Sequence, residues 1–252
     1  MKLCLDAGNS CLKWGVADNS GWLAQGKLAW TELANAHQTL SRWKFSHAYM
    51  ASVIGAVREA ALAKAIGGIP IVRFTGATEF PGIRNGYAKP ETLGADRWCA
   101  LIGARHVEKR PCLVVMLGTA TTLDALDGDG NFPGGMILPG LAMMRDALAN
   151  GTANLPMTPF AEEPVLEDIN MFPTDTENAI INGCLEAQAG AIERAFRRHK
   201  GASICLVSGG AAPLLVPMLS SLPVQVVPQL VLEGVRLLAA KDNLNKYRRT
   251  VP

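Results

Sequence analysis

The sequence has few of the residues that most often carry catalysis or bind metals. It has only 4 histidines in 252 residues, and they are scattered without metal-ligand spacing. Its 6 cysteines include no Cys-x-x-Cys pair, which argues against a zinc ribbon. Because most of these cysteines lie among apolar neighbours, we expect buried, reduced thiols. Any catalysis is therefore not expected to rest on histidine.

The chain also lacks an excess of charge of either sign. Lys plus Arg is 24 and Asp plus Glu is 22, so the formal charge is +2. A nucleic-acid-binding domain normally carries a basic face, and we expect no nucleic-acid partner. No segment reaches the roughly 18 apolar residues of a membrane span. The first apolar stretch is interrupted by Asp6, before the roughly 7–15 residues of a secretory signal. We therefore expect a cytoplasmic protein with no membrane partner.

Two common nucleotide-binding motifs are missing as well. No Gly-x-x-x-x-Gly-Lys-Ser/Thr run occurs, which argues against a P-loop protein. Residues 128–130 read Gly-Asp-Gly but continue as Asn-Phe-Pro, which breaks the dinucleotide-binding pattern. What is present is a core-forming composition, with 49% hydrophobic and 18% charged residues.

Strand and helix patterns alternate along the chain, which predicts an α/β fold. The predicted strands are residues 2–5, 12–17, 22–28, 47–53, 69–74, 113–117, 123–126 and 203–208, with another beginning at residue 134. The predicted helices are residues 56–66, 97–107, 176–199 and 229–242. Thr176 is the predicted cap of the third helix.

Each half of the chain opens with a strand, a small polar turn and a second strand. The turns are residues 6–10 and 118–122, and we interpret them as a weak internal duplication with a boundary near residue 111. This predicts domains at residues 1–111 and 112–252. Glycine lets backbone N–H groups approach an anion closely, so two such turns could hold a polyphosphate, with Lys13 adding charge. Two ordinary β-turns and a solvated lysine remain the alternative.

Residues 75–97 form a long irregular segment, and such segments are often functional. It ends in Gly94-Ala95-Asp96-Arg97, where a helix is predicted to begin. A carboxylate at this position can accept a hydroxyl proton during phosphoryl transfer, while the neighbouring arginine binds an anion. Asp96 could equally be a helix N-cap.

Four short motifs occur along the chain, and their order and spacing are informative. They are Asp6-Ala7-Gly8-Asn9-Ser10, Gly94-Ala95-Asp96-Arg97, Gly118-Thr119-Ala120-Thr121-Thr122-Leu123-Asp124 and Gly134-Gly135-Met136-Ile137-Leu138-Pro139-Gly140. Together they resemble the type III pantothenate kinase family, also described as the Bvg accessory factor family. The resemblance extends from Asp6 to Gly210. It implies two ribonuclease-H-like domains of the acetate and sugar kinase/Hsp70/actin fold, with ATP between them. It also implies phosphorylation of the primary hydroxyl of pantothenate by ATP, the first committed step of coenzyme A synthesis.

The resemblance further implies roles for individual residues. Asp96 resembles the base that takes the hydroxyl proton, and Asp6 the carboxylate that holds Mg²⁺ through water. The residues that resemble ATP contacts are Asp6, Gly8, Asn9, Ser10, Lys13, Thr119, Thr121, Thr122, Gly209 and Gly210. Those that resemble pantothenate contacts are Tyr87, Gly94, Ala95, Arg97 and Thr176, the last donated by the partner of a homodimer. Purely structural roles stay open: a loop anchor for Tyr87, a helix cap for Thr176 and a strand-end turn for residues 209–210.

The homodimer is expected to pack through the helix at residues 176–199. The apolar residues predicted to supply its surface are Ile180, Ile181, Leu185, Ala191 and Ile192.

One position departs from the family pattern. Family members often carry an Asp two residues before Gly118, as a ligand for K⁺ or NH₄⁺, but this chain has Met116 there. A thioether is a poor ligand for a hard cation, so we expect the monovalent-cation site to be weakened or lost.

Two other functions stay open at the level of sequence. The first is a nucleotide-binding regulatory scaffold, but the Asp96-Arg97 pair favours an enzyme because a scaffold needs no base. The second is another small-molecule kinase on the same fold, against which the short chain and residues 94–97 argue.

Overall fold

Two five-stranded sheets dominate the computed structural model, which describes residues 1–160 and 172–241. The strands are β1 (Lys2–Ala7), β2 (Cys11–Asp18), β3 (Gly21–Ala29), β4 (Ala48–Ser52), β5 (Ile71–Phe74), β6 (Arg84–Asn85), β7 (Cys112–Leu117), β8 (Ala120–Leu126), β9 (Asn131–Phe132), β10 (Gly134–Pro139), β11 (Ile204–Ser208) and β12 (Val224–Val226). The helices are α1 (Ala36–Leu40), α2 (Ala56–Ala65), α3 (Ala95–Val107), α4 (Leu141–Gly151), α5 (Thr176–Arg198), α6 (Ala212–Leu215) and α7 (Leu230–Lys241). Short 3-10 turns occupy Trp30–Asn35, Pro90–Thr92 and Val216–Leu219.

The two sheets have the same strand order and the same strand directions. The first runs β3-β2-β1-β4-β5 and the second β10-β8-β7-β11-β12. In each sheet the first two pairings are antiparallel and the last two are parallel. The repeated strand–turn–strand design predicted from the sequence is thus the start of a repeated five-stranded sheet.

The chain divides into two compact units. Of the described residues, unit 1 contains Met1–Val107, Gly130–Pro133 and residues 229–241, and unit 2 contains Glu108–Asp129 and residues 134–160 and 172–228. The predicted domains at residues 1–111 and 112–252 differ from this division at residues 108–111, which belong to unit 2, and in two stretches of the C-terminal half. Residues 130–133 belong to unit 1 because β9 pairs with β6, and residues 229–241 belong there because α7 packs on α3.

Helix α7 lies very close to α3 in the core of unit 1. A Cβ on Gly234 would overlap the carbonyl group of Cys99, and one on Gly103 would overlap that of Leu230. Glycine at both positions lets the two backbones touch. The apolar side chains of α7 are buried against α3 and against the strands β1, β2 and β4. The last described helix therefore completes the core around the helix that carries Asp96.

Several helix ends differ from the sequence prediction. Helix α3 begins at Ala95, two residues earlier than predicted. Helix α5 is capped by Asp175 rather than Thr176, because the Asp175 carboxylate accepts a hydrogen bond from the backbone N–H of Asn178 at 2.9 Å. Helix α4 was not predicted. The predicted end of the last helix, Asp242, lies outside the described residues.

All six cysteines are free thiols, and five of them are buried, as expected. Within residues 1–160 and 172–241, no helix combines the length and apolar character that crossing a bilayer requires.

Candidate active site

Asp6 and Lys13 face each other across the first hairpin. The β1–β2 ladder places them opposite one another, and Lys13 Nζ lies 3.4 Å from Asp6 Oδ2. Asp6 is only 6% exposed. Burial raises the pKa of Asp6 to about 6, against the opposing effect of Lys13, and the negative charge of Asp96 raises it further. The two aspartates, far apart in sequence, thus share one electrostatic environment at the site.

Asp96 is the second residue of α3 and is partly buried. The first helical hydrogen bond runs from the Trp98 N–H to the Gly94 carbonyl at 3.0 Å, so Gly94 and not Asp96 occupies the cap position. Asp96 Oδ1 accepts the N–H of Arg97 at 2.8 Å. A Cβ on Gly94 would lie 2.7 Å from the same Oδ1 atom. The absence of a side chain at Gly94 therefore leaves room for the Asp96 carboxylate. The positive end of the helix dipole at the N-terminus of α3 also stabilises the negative charge of this carboxylate.

Arg97 and Tyr87 form a second cluster in unit 1. Arg97 is only 6% exposed, and its Nη1 donates a hydrogen bond to Tyr87 Oη at 2.9 Å. The guanidinium carbon also lies 5.8 Å from the ring centroids of both Tyr87 and Phe132. The structure thus brings two of the predicted substrate residues into contact. Phe132 joins them without any local signal in the sequence.

Asn85 organises the irregular segment that carries Tyr87. Its Nδ2 donates to the carbonyls of Gly76 at 2.9 Å and Pro90 at 3.3 Å. Its Oδ1 accepts the N–H of Tyr87 at 3.0 Å. One side chain thus ties together three points of residues 75–97, and this role was not predicted from the sequence.

The turn of unit 1 connects β1 and β2 through Gly8, Asn9 and Ser10. Asn9 and Ser10 are exposed and Gly8 is partly buried. The N–H of Val53 donates to the carbonyl of Ala7 at 3.1 Å, which ties the end of β1 to the chain after β4. The predicted phosphate turn is therefore an accessible loop on a fixed sheet edge.

The turn of unit 2 is shorter than predicted. Strand β7 ends before Gly118 and β8 begins after Thr119, so only these two residues form the turn. Thr121 and Thr122, predicted as turn residues, lie inside β8 and are buried, at 2% and 7% exposed. The hydroxyl of Thr122 donates to Asp124 Oδ2 at 3.1 Å. The strand begins earlier because this threonine-rich run pairs continuously with β7.

Two further glycines pack against this turn. The N–H of Gly140 donates to the Thr119 carbonyl at 3.1 Å, and a Cβ on Gly140 would overlap the Gly118 carbonyl. Gly209, with φ of 117°, likewise lies against the carbonyl of Leu117. Strands β7 and β11 are parallel neighbours, so their ends meet at the same sheet edge. Three backbone segments thus converge there, including the N-terminus of α4. The role of Gly140 was not predicted.

Gly210 and Thr176 are both exposed in unit 2, the latter as the first residue of α5.

The apolar residues of α5 that were predicted to form a dimer surface pack instead into the core of unit 2. Ile180, Leu185 and Ile192 are buried there, and Ile181 and Ala191 pack against it. The exposed positions of α5 include small residues, namely Ala179, Gly183, Ala187 and Gly190.

Met116 lies near the end of β7 and is partly buried, opposite Thr122 on β8 and Ser208 on β11. In the part of the chain that the structure describes, no group of three or more His, Cys, Asp or Glu side chains could hold a metal ion.

Comparison with known proteins shows the family to which this chain is similar. Residues 2–198 match the type III pantothenate kinase family. The chain is 44% identical to a type III pantothenate kinase of Aromatoleum aromaticum, over 96% of this chain and 99% of the relative. It is 42% identical to one of Dechloromonas aromatica, over 96% and 100%.

Solved structures share the fold at lower identity. A Baf family transcriptional activator protein of Campylobacter jejuni is similar with a TM-score of 0.62 and 19% identity, over 95% of this chain and 98% of that one. The ethanolamine utilization protein EutJ of Carboxydothermus hydrogenoformans is similar with a TM-score of 0.55 and 17% identity, over 94% and 89%. These likenesses confirm the predicted α/β fold class, the acetate and sugar kinase/Hsp70/actin fold.

Proposed function

The chain belongs to the type III pantothenate kinase family, and on this basis we propose how its residues share the transfer of the ATP γ-phosphoryl group to pantothenate. The protein is an ATP-dependent kinase of coenzyme A biosynthesis. A regulatory scaffold and another small-molecule kinase are both disfavoured, because relatives at 34–44% identity over nearly the whole chain are named as type III pantothenate kinases. The observation that carries the residue roles is the electrostatic interaction of Asp96 with the buried carboxyl of Asp6.

We propose that Asp96 is the catalytic base. Its Oδ1 is held by the Arg97 N–H at 2.8 Å, which fixes the carboxylate on the first turn of α3. Its Oδ2 then accepts the proton of the primary hydroxyl as the hydroxyl oxygen bonds to the γ-phosphorus. The bond from that phosphorus to the β–γ bridging oxygen breaks, and ADP leaves with the bridging oxygen. Because Asp6 is buried nearby, bound phosphate must be accompanied by positive charge, and Lys13 supplies part of it.

Pantothenate is bound by the cluster around Arg97 in this proposal. The buried guanidinium provides a fixed positive charge for the substrate carboxylate, and Tyr87 covers the substrate with its ring. Gly94 and Ala95 line the approach to Asp96 with little side-chain bulk. Support for this division comes from the hydrogen bond between Arg97 and Tyr87, which makes the two side chains one unit.

ATP is bound through backbone turns. In unit 1 the exposed turn at Gly8, Asn9 and Ser10 offers N–H groups to phosphate oxygens. In unit 2, Thr119 offers its N–H and hydroxyl, and the N-terminus of α4 adds a favourable dipole. Residues 209–210 leave space for the adenosine. Thr121 and Thr122 are buried in β8. We therefore assign them a structural role, in which they hold the start of β8 and so fix the conformation of the turn before it.

The residues of the site fit Mg²⁺. This ion is usually held by one or two carboxylates together with substrate phosphates, and it keeps several waters. Asp6 offers one buried carboxylate whose ionised form is disfavoured by burial, so a nearby cation would stabilise it. Bound Mg²⁺ would neutralise the charge of the ATP phosphates. The residues around Met116 do not fit a K⁺ or NH₄⁺ ion equally well, because the thioether provides neither an oxygen nor a negative charge.

We further propose a homodimer, with Thr176 contacting the pantothenate bound by the partner subunit. The exposed small residues of α5 allow a second copy of this helix to approach closely. Unit 2 also exposes apolar side chains that a partner could cover, namely Met136, Ile137 and Met143 at 50%, 64% and 47% exposed. The free thiols fit a reducing compartment, and we propose the cytoplasm.

A coupled assay of ADP release tests the function. We expect ADP release from Mg-ATP that requires pantothenate, with phosphopantothenate identified by mass spectrometry. Acetate and a panel of sugars serve as control acceptors. Release with one of these and not with pantothenate would point to another kinase of the fold. Nucleotide binding without turnover of any acceptor would favour the scaffold.

A further inference from the structure

The proposed phosphate turn of unit 1, residues 8–10, accepts hydrogen bonds from two side chains to which the family resemblance assigned no role. Trp30 follows β3, and its Nε1 donates a hydrogen bond to the Gly8 carbonyl at 3.0 Å. Arg58 lies in α2, and its Nη1 donates to the Asn9 carbonyl at 3.2 Å. The Arg58 guanidinium carbon lies 5.8 Å from the Trp30 ring centroid, so the two side chains also contact each other.

These two hydrogen bonds set the direction of two peptide groups. A trans peptide is planar, so the carbonyl of one residue and the N–H of the next point in opposite directions. Because the Gly8 carbonyl accepts the hydrogen bond from Trp30, the N–H of Asn9 points away from Trp30. Because the Asn9 carbonyl accepts the hydrogen bond from Arg58, the N–H of Ser10 points away from Arg58. Successive N–H groups on one side of a turn form an anion-binding concavity.

We propose that Trp30 and Arg58 are positioning residues for ATP, which hold the carbonyls of the turn so that the N–H groups of Asn9 and Ser10 face the phosphates. This inference rests on the proposed binding of ATP by the turn. A flexible turn would have to be ordered when ATP binds, whereas a turn held in advance avoids that cost. Neither side chain has to touch the nucleotide to have this effect.

Substitution of Trp30 by Phe tests the first hydrogen bond. W30F keeps an aromatic ring beside Arg58 but removes the indole N–H. We expect the KM for ATP to rise roughly three- to ten-fold, as for the loss of one hydrogen bond, while the KM for pantothenate stays unchanged. The matched control is W22F, because Trp22 Nε1 also makes one hydrogen bond, to Glu233 Oε2 at 3.1 Å, away from the turn. An ATP KM equal to that of the wild type, or an equal rise in W22F, would overturn the role of Trp30.

Arg58 provides a second variant that does not depend on Trp30. Its side chain is exposed, so R58Q is expected to fold, and thermal unfolding checks this. The matched control is R42Q, since the Arg42 guanidinium lies 4.1 Å from the Trp43 ring centroid and likewise stacks on a tryptophan. We expect a rise in the ATP KM for R58Q and none for R42Q. Equal effects of both substitutions would show a loss of net charge and would overturn the positioning role.

Calorimetric titration with a non-hydrolysable ATP analogue and Mg²⁺ separates this inference from the proposed function. If the wild type fails to phosphorylate pantothenate, the proposed function fails, yet the titration still reports on the turn. Weaker binding of the analogue by W30F and R58Q than by their controls supports positioning. Equal affinity in all variants contradicts it, even in an active kinase.

Discussion

The rings of Tyr87 and Phe132 stack with their centroids 5.5 Å apart and an interplanar angle of 24°. Phe132 is fully buried and belongs to β9, which pairs with β6 next to Tyr87. The N–H of Gly86 also donates to the Phe132 carbonyl at 2.9 Å. The aromatic side chain that we propose to cover pantothenate therefore has a second ring fixed behind it.

Replacing Phe132 with Leu should weaken the binding of pantothenate. The substitution removes the stacked ring, and such aromatic pairs contribute roughly 0.5–1.5 kcal/mol beyond their buried area. We expect the KM for pantothenate to rise by a factor of roughly 2–10, with the KM for ATP unchanged. The matched control is F74L, because Phe74 stacks on Tyr49 in the same unit at 6.0 Å. Equal changes in both variants would mean that only general packing was lost.

Replacing Asp96 with Asn should lower kcat by about 10²–10⁴-fold, the usual effect of losing a general base. The amide keeps the size of the side chain, and its oxygen can still accept the Arg97 N–H. We therefore expect binding of an ATP analogue, measured by calorimetry, to be retained. A folded variant with normal kcat would remove Asp96 from the mechanism.

Replacing Asp6 with Asn should change how stability depends on pH. Burial raises the pKa of Asp6 from its ordinary 3.8 to about 6 in the folded protein. Well below pH 3.8 the carboxyl is protonated in both the folded and unfolded states, so its burial does not lower the stability of the fold. As pH rises from about 4 to 6, the unfolded state ionises first and the folded state loses relative stability, by roughly 3 kcal/mol at most.

We therefore expect the free energy of unfolding of D6N, relative to the wild type, to be higher at pH 8 than at pH 4. Urea denaturation without nucleotide or metal measures it. Asp18 is the control, because hydrogen bonds from Ser20 lower the pKa of its carboxyl, so D18N should show the opposite trend. A pH-independent difference between D6N and the wild type would contradict the raised pKa.

Replacing Gly183 with Arg should break the proposed dimer. Gly183 is exposed on α5, and a Cβ there meets no atom of its own chain within 4 Å. Arg favours helix over Gly, so the variant should remain folded. We expect monomer mass by sedimentation and a large loss of turnover, because Thr176 would no longer reach a partner's substrate. The control is A60R, at an exposed position of α2. A fully active G183R monomer would refute the shared site.

Replacing Met116 with Asp should increase the dependence of turnover on K⁺. The wild-type residue provides no oxygen ligand. We therefore expect the turnover of the wild type to depend only weakly on K⁺, measured against the same concentration of Na⁺. The introduced carboxylate supplies an oxygen and a charge at the edge where β7 ends. A steep K⁺ requirement of the wild type would show that other ligands suffice.

The parts of the site that depend on local pattern could be predicted from the sequence. The hairpin around residues 8–10 follows from two alternating strands and a polar turn, and its register alone pairs Asp6 with Lys13. Phe132 could not be predicted in the same way, because β9 has only two residues and its pairing with β6 depends on the whole of unit 1. The buried position of Thr121 was missed for a related reason, since a run of small polar residues resembles a turn until its strand partner is known.

The dimer surface shows the same limit. Helical periodicity finds the apolar residues of α5, such as Ile180 and Ile192, but does not show which neighbour they pack against. In the structure they belong to the core of unit 2. The exposed glycines of that helix carry no apolar signal, and their position becomes visible only in three dimensions.

The close packing of α7 on α3 has a consequence for how the protein is made. The ribosome releases the strands of unit 1 first, but the helix that closes its core emerges only after unit 2. Every residue of unit 2 leaves the ribosome before α7 does. The half that begins later can therefore finish folding first, and the helix bearing Asp96 packs against α7 only after all of unit 2 has emerged. Nascent chains arrested shortly before residue 229 should accordingly contain a folded unit 2 and an exposed face on α3.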